Sequence, residues 1–343
     1  MLKPHQNVVV YMEGHLQSDF GKMGHGVLRY SANPIVGVID SEQHGQELSS
    51  LLGYPTEIPI LQNLEQGRAL GGEVLILGIA PSGGKIPKPW HQVIQQALAL
   101  GYSIVNGLHD LLLPTYQDRL QQHQWIWDVR VPAKIPAIAS GKAKNLSNKR
   151  VLFVGTDMAS GKMTTALEVY SEMRAQKHQV SFVATGQIGI TLTGAGIPLD
   201  AYKVDHACGA VEEAVLEQSH SDWILIEGQG SLLHPGSTAT LPLMRGSCPT
   251  HLILCVPAHH IHLRNLPAFT IPPLAEVIHL NETVARAAGN FPQAQVVGIA
   301  LNTVQLSEAD ARQKIAEVAQ ETGLPTTDPV RFKVDPLLQA LGV

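Results

Sequence analysis

Cysteine is scarce in this chain: its 343 residues include three, Cys208, Cys248 and Cys255. They form no C-x-x-C pair and are odd in number, which argues against a disulfide framework and a zinc knuckle and for a reducing, cytoplasmic setting. Long apolar runs are also missing. The opening MLKPHQNVVVYMEG holds only Val8 to Met12 before Glu13, and nowhere do eighteen apolar residues follow one another, so neither a secretion signal nor a membrane span is expected. Charge is low as well, at 15% of residues, with 24 Lys+Arg against 29 Asp+Glu and a net charge of -5. No segment carries the dense Lys/Arg stripe of a phosphate-backbone reader, so nucleic acid is not an expected partner.

What is abundant is glycine and proline, 31 and 22 residues, beside short runs rich in Val and Ile. Low charge, buried-looking strands and many tight turns form the profile of an α/β enzyme. At about 150 residues per domain the length suggests two domains, each large enough to close its own core.

The apolar runs alternate with helical patterns throughout, the signature of parallel strands joined by crossover helices. In the first half strands are predicted over 7–12, 35–39, 74–79, 103–105 and 125–129, with a helix over 89–100 that has Pro89 at its start and Gly101 after its end. The stretch 131–149 has prolines, small residues and lysines but no periodicity. It reads as a linker, giving a first domain over 1–132, a linker over 133–149 and a second domain over 150–343. In the second domain strands are predicted over 150–154, 180–184, 223–227, 251–256, 277–280 and 296–301, and a helix over about 162–176. A further helix over 308–322 has Ser307 as N-cap, Asp310 three residues on, and Gly323 as its stop. The expected fold class is α/β: two doubly wound domains with the ligand crevice at the carboxyl ends of the second-domain strands.

The sharpest motif is Gly155-Thr156-Asp157-Met158-Ala159-Ser160-Gly161-Lys162-Met163-Thr164-Thr165, directly after an apolar strand and directly before a helix. Glycines there let backbone N-H groups converge on phosphate oxygens, the helix N-terminus adds positive dipole, and Lys162 supplies a cation. Two features depart from the strict G-x-x-x-x-G-K-[ST] pattern. The first glycine lies one residue early, and Met163 stands where a magnesium-binding hydroxyl belongs, so Thr164 or Thr165 would have to take that role by a local shift. The plain alternative is a glycine-rich turn with an exposed lysine.

A second motif, Trp223-Ile224-Leu225-Ile226-Glu227-Gly228-Gln229-Gly230-Ser231, is an apolar strand ending in a carboxylate. Glu227 can hold Mg through water, serve as a general base, or merely cap the next turn. Ala184-Thr185-Gly186-Gln187 repeats the strand-then-glycine pattern, and the Gln187 amide can orient a ligand. The acids from Asp200 through Asp205 to Glu212 lead into another helix, where a solvated helix start is an equally good reading.

On these residues the chain resembles the DgcN-like family, over nearly its whole length. The resemblance rests on Gly155-Thr156-Asp157 with Gly161-Lys162-Met163-Thr164, on Ala184-Thr185-Gly186-Gln187, on Ile226-Glu227-Gly228-Gln229-Gly230-Ser231 with His234-Pro235, and on Ala300-Leu301-Asn302-Thr303 and Asp328-Pro329-Val330-Arg331. In the first half Glu13-Gly14, Lys22, Arg29-Tyr30, Val38-Ile39-Asp40-Ser41 and Gly107-Leu108-His109 also match; Ile188 and His206 depart from the pattern. More distantly the second half is similar to dethiobiotin synthetase, whose phosphate loop likewise begins Gly-Thr-Asp. The resemblance implies an N-terminal Rossmann-like half and a C-terminal P-loop half of the dethiobiotin synthetase or MinD type. It also implies an N-acetyltransferase that converts D-glutamate to N-acetyl-D-glutamate with acetyl-CoA and feeds a partner enzyme of D-amino-acid breakdown.

An acetyltransferase accommodates Met163, because a phosphate loop can anchor the phosphates of CoA without splitting a phosphoanhydride. Acyl transfer to an amine needs a base and oxyanion donors. Glu227, Asp205 and His234 are the candidate bases, and backbone N-H groups near 228–230 or in the phosphate loop the candidate donors. Gly155, Thr156, Asp157, Ser160, Gly161, Lys162, Met163, Thr164, Thr165 and Asn302 are the expected cofactor contacts. Gln187, Gln229, Arg245 and Arg264 are the expected substrate contacts, the arginines as carboxylate clamps. A rival reading is an ATP- and Mg-dependent ligase or kinase with Asp157 and Glu227 around the metal and Asn302-Thr303 on adenine. A third is a nucleotide-sensing switch. No resident metal site is expected: His259-His260-Ile261-His262 has metal-compatible spacing but no nearby acid or cysteine, and reads as a loop lining the crevice. Asp40 stands where a dinucleotide fold keeps its ribose acid, yet Glu13-Gly14-His15-Leu16 lacks G-x-G-x-x-G, which argues against NAD. The loop Ala80-Pro81-Ser82-Gly83-Gly84-Lys85 can close over an acceptor or be plain surface. The partner expected is a small amino-acid substrate, and the assembly a homo-oligomer.

Overall fold

The structure is a computed structural model and describes residues 2–81 and 83–343. Fourteen strands are seen among them: β1 Val8–Tyr11, β2 Ile35–Ile39, β3 Ile60–Leu61, β4 Val74–Leu77, β5 Ser103–Asn106, β6 Ile126–Asp128, β7 Lys149–Gly155, β8 Val180–Val183, β9 Trp223–Ile226, β10 His251–Pro257, β11 His262–Leu263, β12 Leu266–Thr270, β13 Gln295–Asn302 and β14 Thr326–Thr327. The chain divides into two compact units. One runs up to Val131 and takes in Gln187–Pro198; the other comprises Pro132–Gly186 and Leu199–Val343.

In the first unit six parallel strands lie in the order β3-β2-β1-β4-β5-β6. The order reverses between β1 and β4, the doubly wound arrangement that alternating strand and helix patterns predict. Both central strands are buried along their length, as Val-Val-Val-Tyr and Val-Leu-Ile-Leu, because helices cover both faces of such a sheet. Val9, Leu75, Leu77, Ile94 and Tyr102 belong to one core cluster. The helix Gln187–Thr193 packs in this unit against the helix Lys22–Tyr30. Linear boundaries at 132 and 150 therefore do not describe where the segment 187–198 resides.

In the second unit the order is β14-β13-β10-β7-β9-β8, again parallel throughout. β7, the strand that leads into the phosphate loop, lies between β9 and β10, so Glu227 follows the strand immediately beside it. The predicted strand over 277–280 is a correction: those residues lie inside the helix Leu274–Arg286. Its buried positions are Leu274, Val277, Asn281 and Ala285, a helical spacing, and the four residues Val277-Ile278-His279-Leu280 were too short a run to distinguish the two periods. The helix Glu308–Thr322 has the expected ends, with the Ser307 hydroxyl accepting from the Asp310 N-H and Gly323 in the left-handed conformation.

The expected linker is docked on this unit rather than free. Buried Glu212 accepts from the Ser140 and Lys142 N-H groups at 2.9 and 2.6 Å, Glu213 from the Ala137 N-H at 3.0 Å, and His206 pairs with the Pro136 carbonyl at 2.8 Å. Among the described residues no helix is long and apolar enough to cross a membrane.

Candidate active site

The site begins where β7 ends. Gly155 is required there because a Cβ would stand 2.1 Å from Ser160 Oγ, and Gly161 takes φ +96°, which opens the helix Lys162–Ala175. The loop between them folds around its own lysine. Lys162 Nζ donates to the carbonyls of Asp157 and Met158 at 2.7 and 3.0 Å and to Ser160 Oγ at 3.2 Å. Burial pushes this ammonium down to about 8, against the pull of Cys255, Asp157 and Glu227. The first intrahelical bond runs from the Thr165 N-H to the Gly161 carbonyl, so the N-H groups of Lys162, Met163 and Thr164 face the loop end without helical acceptors.

Two loop residues are committed elsewhere. The Thr165 hydroxyl bonds Cys255, whose thiol burial raises to about 11. Of the two threonines available to replace the hydroxyl missing at Met163, Thr164 is thus the one not held by Cys255. Asp157 is held on both oxygens, Oδ1 accepting from the Met158 N-H and Oδ2 from the Arg264 N-H, each at 2.6 Å. This second bond ties the phosphate loop to the β11-β12 hairpin.

Glu227 lies beside this lysine, fully buried. Its Oε2 accepts from the N-H groups of Thr185 and Gly186 at 2.8 and 3.1 Å, and its Oε1 from Gln229 Nε2 at 3.3 Å. Burial nevertheless raises the carboxyl from 4.5 to about 7, outweighing those bonds and the Lys162 charge. Gly186 and Gly228 make this packing possible. A Cβ on Gly186 would meet Gln229 Nε2 at 2.4 Å, and one on Gly228 would meet the Phe153 carbonyl at 1.6 Å and Lys162 Cδ at 2.9 Å. Gly228→Ala must therefore separate β7 from the turn after β9. Its expected cost is about 1–3 kcal/mol, the range for overpacked interiors, read as a fall in the thermal midpoint. Gly161→Ala meets nothing within 4 Å and carries only the strain of its positive φ. An unchanged midpoint for Gly228→Ala would refute this account of the turn.

The other expected residues are spread more widely. Asp205 is exposed in the first turn of the helix Val204–Glu217, and no hydrogen bond among the described residues links it to Lys162 or Glu227. His234 is half-buried and accepts from the Gly236 N-H through Nδ1 at 3.1 Å. Arg245 donates to the Val284 carbonyl at 2.9 Å and lies over the Phe291 ring, joining the helix Thr240–Ser247 to the next helix. Arg264 is exposed on the hairpin, engaging Asp157 through its backbone. Gln187 belongs to the first unit, with its side chain near Gly107. Asn302 closes β13, its Oδ1 accepting from the Val304 N-H at 3.2 Å.

Beside Asn302 is a group that motif reading left without a role. Buried Asp328 accepts from the Thr303, Val330 and Arg331 N-H groups at 3.0, 3.0 and 3.2 Å, while Arg331 Nη1 donates to the Thr303 and Leu306 carbonyls. It locks the turns after β13 and β14 together. In the first unit Glu13 accepts from the Ser41 N-H at 2.9 Å and buried Asp40 from the Leu16 N-H at 3.1 Å. Gly84 lies against the His109 ring, whereas Ser82 of the same loop is outside the described residues. No trio of His, Cys, Asp and Glu side chains with metal-binding geometry occurs among the described residues.

Known proteins share this arrangement. A family model described as a domain of unknown function, the DUF1611 C-terminal P-loop domain, matches residues 137–338, and the corresponding N-terminal Rossmann-like domain matches 41–132. The chain belongs to the DUF1611 family. A crystal structure of a DUF1611 family protein from Anabaena variabilis is 48% identical, with a TM-score of 0.95 over 98% of this chain and 99% of that one. Two curated relatives are named D-glutamate N-acetyltransferase. One, from Tritonibacter scottomollicae, is 37% identical over 91% of this chain and 94% of its own; the other, from a Pseudoalteromonas species, is 38% identical over 79% and 82%. The expected family, with its Rossmann-like and P-loop halves, is thus the observed one.

Proposed function

We propose that this DUF1611 protein is an N-acetyltransferase that moves the acetyl group of acetyl-CoA onto the amino group of D-glutamate. The observation that carries the reading is Glu227: a carboxyl poised near 7, buried beside the lysine of a phosphate loop. The names of the two relatives supply the acceptor and the group transferred, and the phosphate loop supports acetyl-CoA as the donor.

The residues present fit such a donor. Loop N-H groups and the Lys162 ammonium suit phosphate oxygens, and Thr156 Oγ1 is a buried hydroxyl with no hydrogen-bond partner among the described residues. Acetyl-CoA, when bound, supplies the activated acyl group. Lys162 and the amides of 162–164 would hold its phosphates, with no phosphoanhydride to split and hence no role for the hydroxyl that Met163 replaces. Glu227 takes one proton from the acceptor ammonium and passes it to solvent, freeing the nitrogen pair that forms the new C-N bond; the second proton shed by that nitrogen then passes through Glu227 to the departing thiol sulfur as the C-S bond breaks. The Gln229 amide holds Glu227 Oε1, and the backbone N-H groups of the 228–230 turn that follows Glu227 are the proposed donors for the carbonyl oxygen.

The test is a thiol-release assay with acetyl-CoA and D- and L-amino acids, run beside an ADP-release assay with ATP and Mg. CoA release that requires D-glutamate is the expected result. ADP release without thiol would replace the acetyltransferase by a ligase or kinase.

A further inference from the structure

Thr185, in the strand-then-glycine motif after β8, is 1% exposed, and a hydroxyl buried that deeply needs a partner. It donates to the backbone carbonyl of Glu227 at 2.8 Å. That bond stands in for a regular one. β8 and β9 run parallel, and their ladder is extended by the Glu227 N-H, which donates to the Val183 carbonyl at 3.0 Å. In a parallel pair a residue bonds the two neighbours of its opposite number, so the next bond of the ladder would join the Thr185 N-H to the Glu227 carbonyl. Here the hydroxyl takes that carbonyl, and the Thr185 N-H turns to the carboxyl, reaching Glu227 Oε2 at 2.8 Å.

One residue thus holds both the main chain and the side chain of the glutamate. The Gly186 N-H adds a second donor to Oε2 at 3.1 Å. Thr185 is itself fixed on its far side, where its carbonyl accepts from the Leu199 N-H at 3.3 Å as the chain re-enters this unit after residues 187–198. The exchange needs a short side-chain donor. Valine has the shape of threonine without the hydroxyl, so with valine at this position the ladder can take its N-H back to the carbonyl, leaving the carboxyl to Gly186 and the Gln229 amide. N-H bonds favour the charged form of a carboxyl, and losing one raises it further. The charged group facing Glu227 is Lys162, on another loop, which a change at Thr185 leaves in place.

We propose that Thr185 is the positioning residue of Glu227, its hydroxyl replacing a ladder bond so that its N-H aims the carboxyl. The assignment rests on the reading of Glu227 as the base and adds the residue that orients it. The test compares the native chain with Thr185→Val, Thr185→Ala and Thr185→Ser. Acetyl transfer is measured as kcat and KM against pH. The Glu227 carboxyl is titrated by NMR of protein labelled at its glutamate carboxyls, the signal being identified by its absence in Glu227→Gln, and melting curves establish folding.

In Thr185→Val and Thr185→Ala, kcat at pH 7 is expected to fall about tenfold or more, with KM for both substrates within about twofold of native. The midpoint of the Glu227 titration and of the rate profile, about 7 in the native chain, should move up by about one unit. Thr185→Ser should keep the native midpoint and most of the rate. A midpoint unchanged in the folded variants without the hydroxyl, or shifted as far in Thr185→Ser as in Thr185→Val, would overturn the proposal. So would a shifted titration with native kcat across the pH range. Should Thr185→Val not fold, Thr185→Ala carries the same comparison. A native chain that transfers no acetyl group, yet whose Glu227 midpoint rises in Thr185→Val and is kept in Thr185→Ser, would sustain the Thr185 clamp while removing the acetyltransferase reading.

Discussion

Glu227→Gln is expected to lower kcat/KM for acetyl transfer by about 10²- to 10⁴-fold, the usual contribution of a positioned base. Glutamine keeps the volume and can still bond Gln229, but it cannot take the ammonium proton. The native rate should also rise with pH through about 7, where burial has placed this carboxyl. Stability should move the opposite way. A carboxyl whose folded pKa is raised favours the fold below its unfolded value near 4.5, and that contribution is lost as pH rises through about 7. The shift corresponds to roughly 3 kcal/mol at 1.36 kcal/mol per unit. Glu227→Gln lacks this loss, so the melting temperature of the variant relative to the native chain should be higher at pH 8 than at pH 5. Full activity in Glu227→Gln would remove Glu227 as the base; a pH-independent melting difference would show that its burial does not hold the carboxyl up.

Those two readouts depend on a residue that was legible in the sequence, and the reason is local. Glu227 ends an apolar strand before a glycine turn, and the phosphate loop lies between a strand and a helix, so each motif carries its context within a dozen or so residues. The parallel strands of both sheets were readable for the same reason, since burial on both faces leaves near-continuous Val, Ile and Leu. What escaped depends on distance along the chain or on short patterns. The helix Gln187–Thr193 follows a second-unit strand yet packs in the first unit, a choice that only tertiary contact makes. The partners that the fold gives Arg245, the Val284 carbonyl and the Phe291 ring, lie 39 and 46 positions away and leave no mark in the local sequence. Two-residue edge strands such as β3 and β14 carry too little sequence to show a period. The histidine run was visible as a string of ligand-type residues, but its placement is set by the bonds from Ala258 to Asn302 and from Arg264 to Asp157, which span 44 and 107 positions of the chain.

Lys162→Met should weaken CoA by about 30- to several-thousand-fold, following the 2–5 kcal/mol that losing one partner of a buried charged contact costs. Methionine retains most of the apolar stem that passes Gly228, so the loss isolates the ammonium. Without ligand the same substitution should barely destabilise the chain at pH 7. Burial already depresses the lysine to about 8, and a cation depressed in this way costs the fold stability below that value and regains it as pH rises toward 10.5. Removing it cancels the penalty, against the loss of its bonds to Asp157, Met158 and Ser160. Affinity and stability therefore separate in one variant: calorimetry should show CoA binding collapse, while unliganded melting near pH 7 stays close to native. A Lys162→Met chain that melts like the native protein and still binds CoA normally would mean that the phosphate loop does not anchor the donor. The fully buried ammonium would then be a structural brace for the loop carbonyls, and the donor site would have to be sought away from β7.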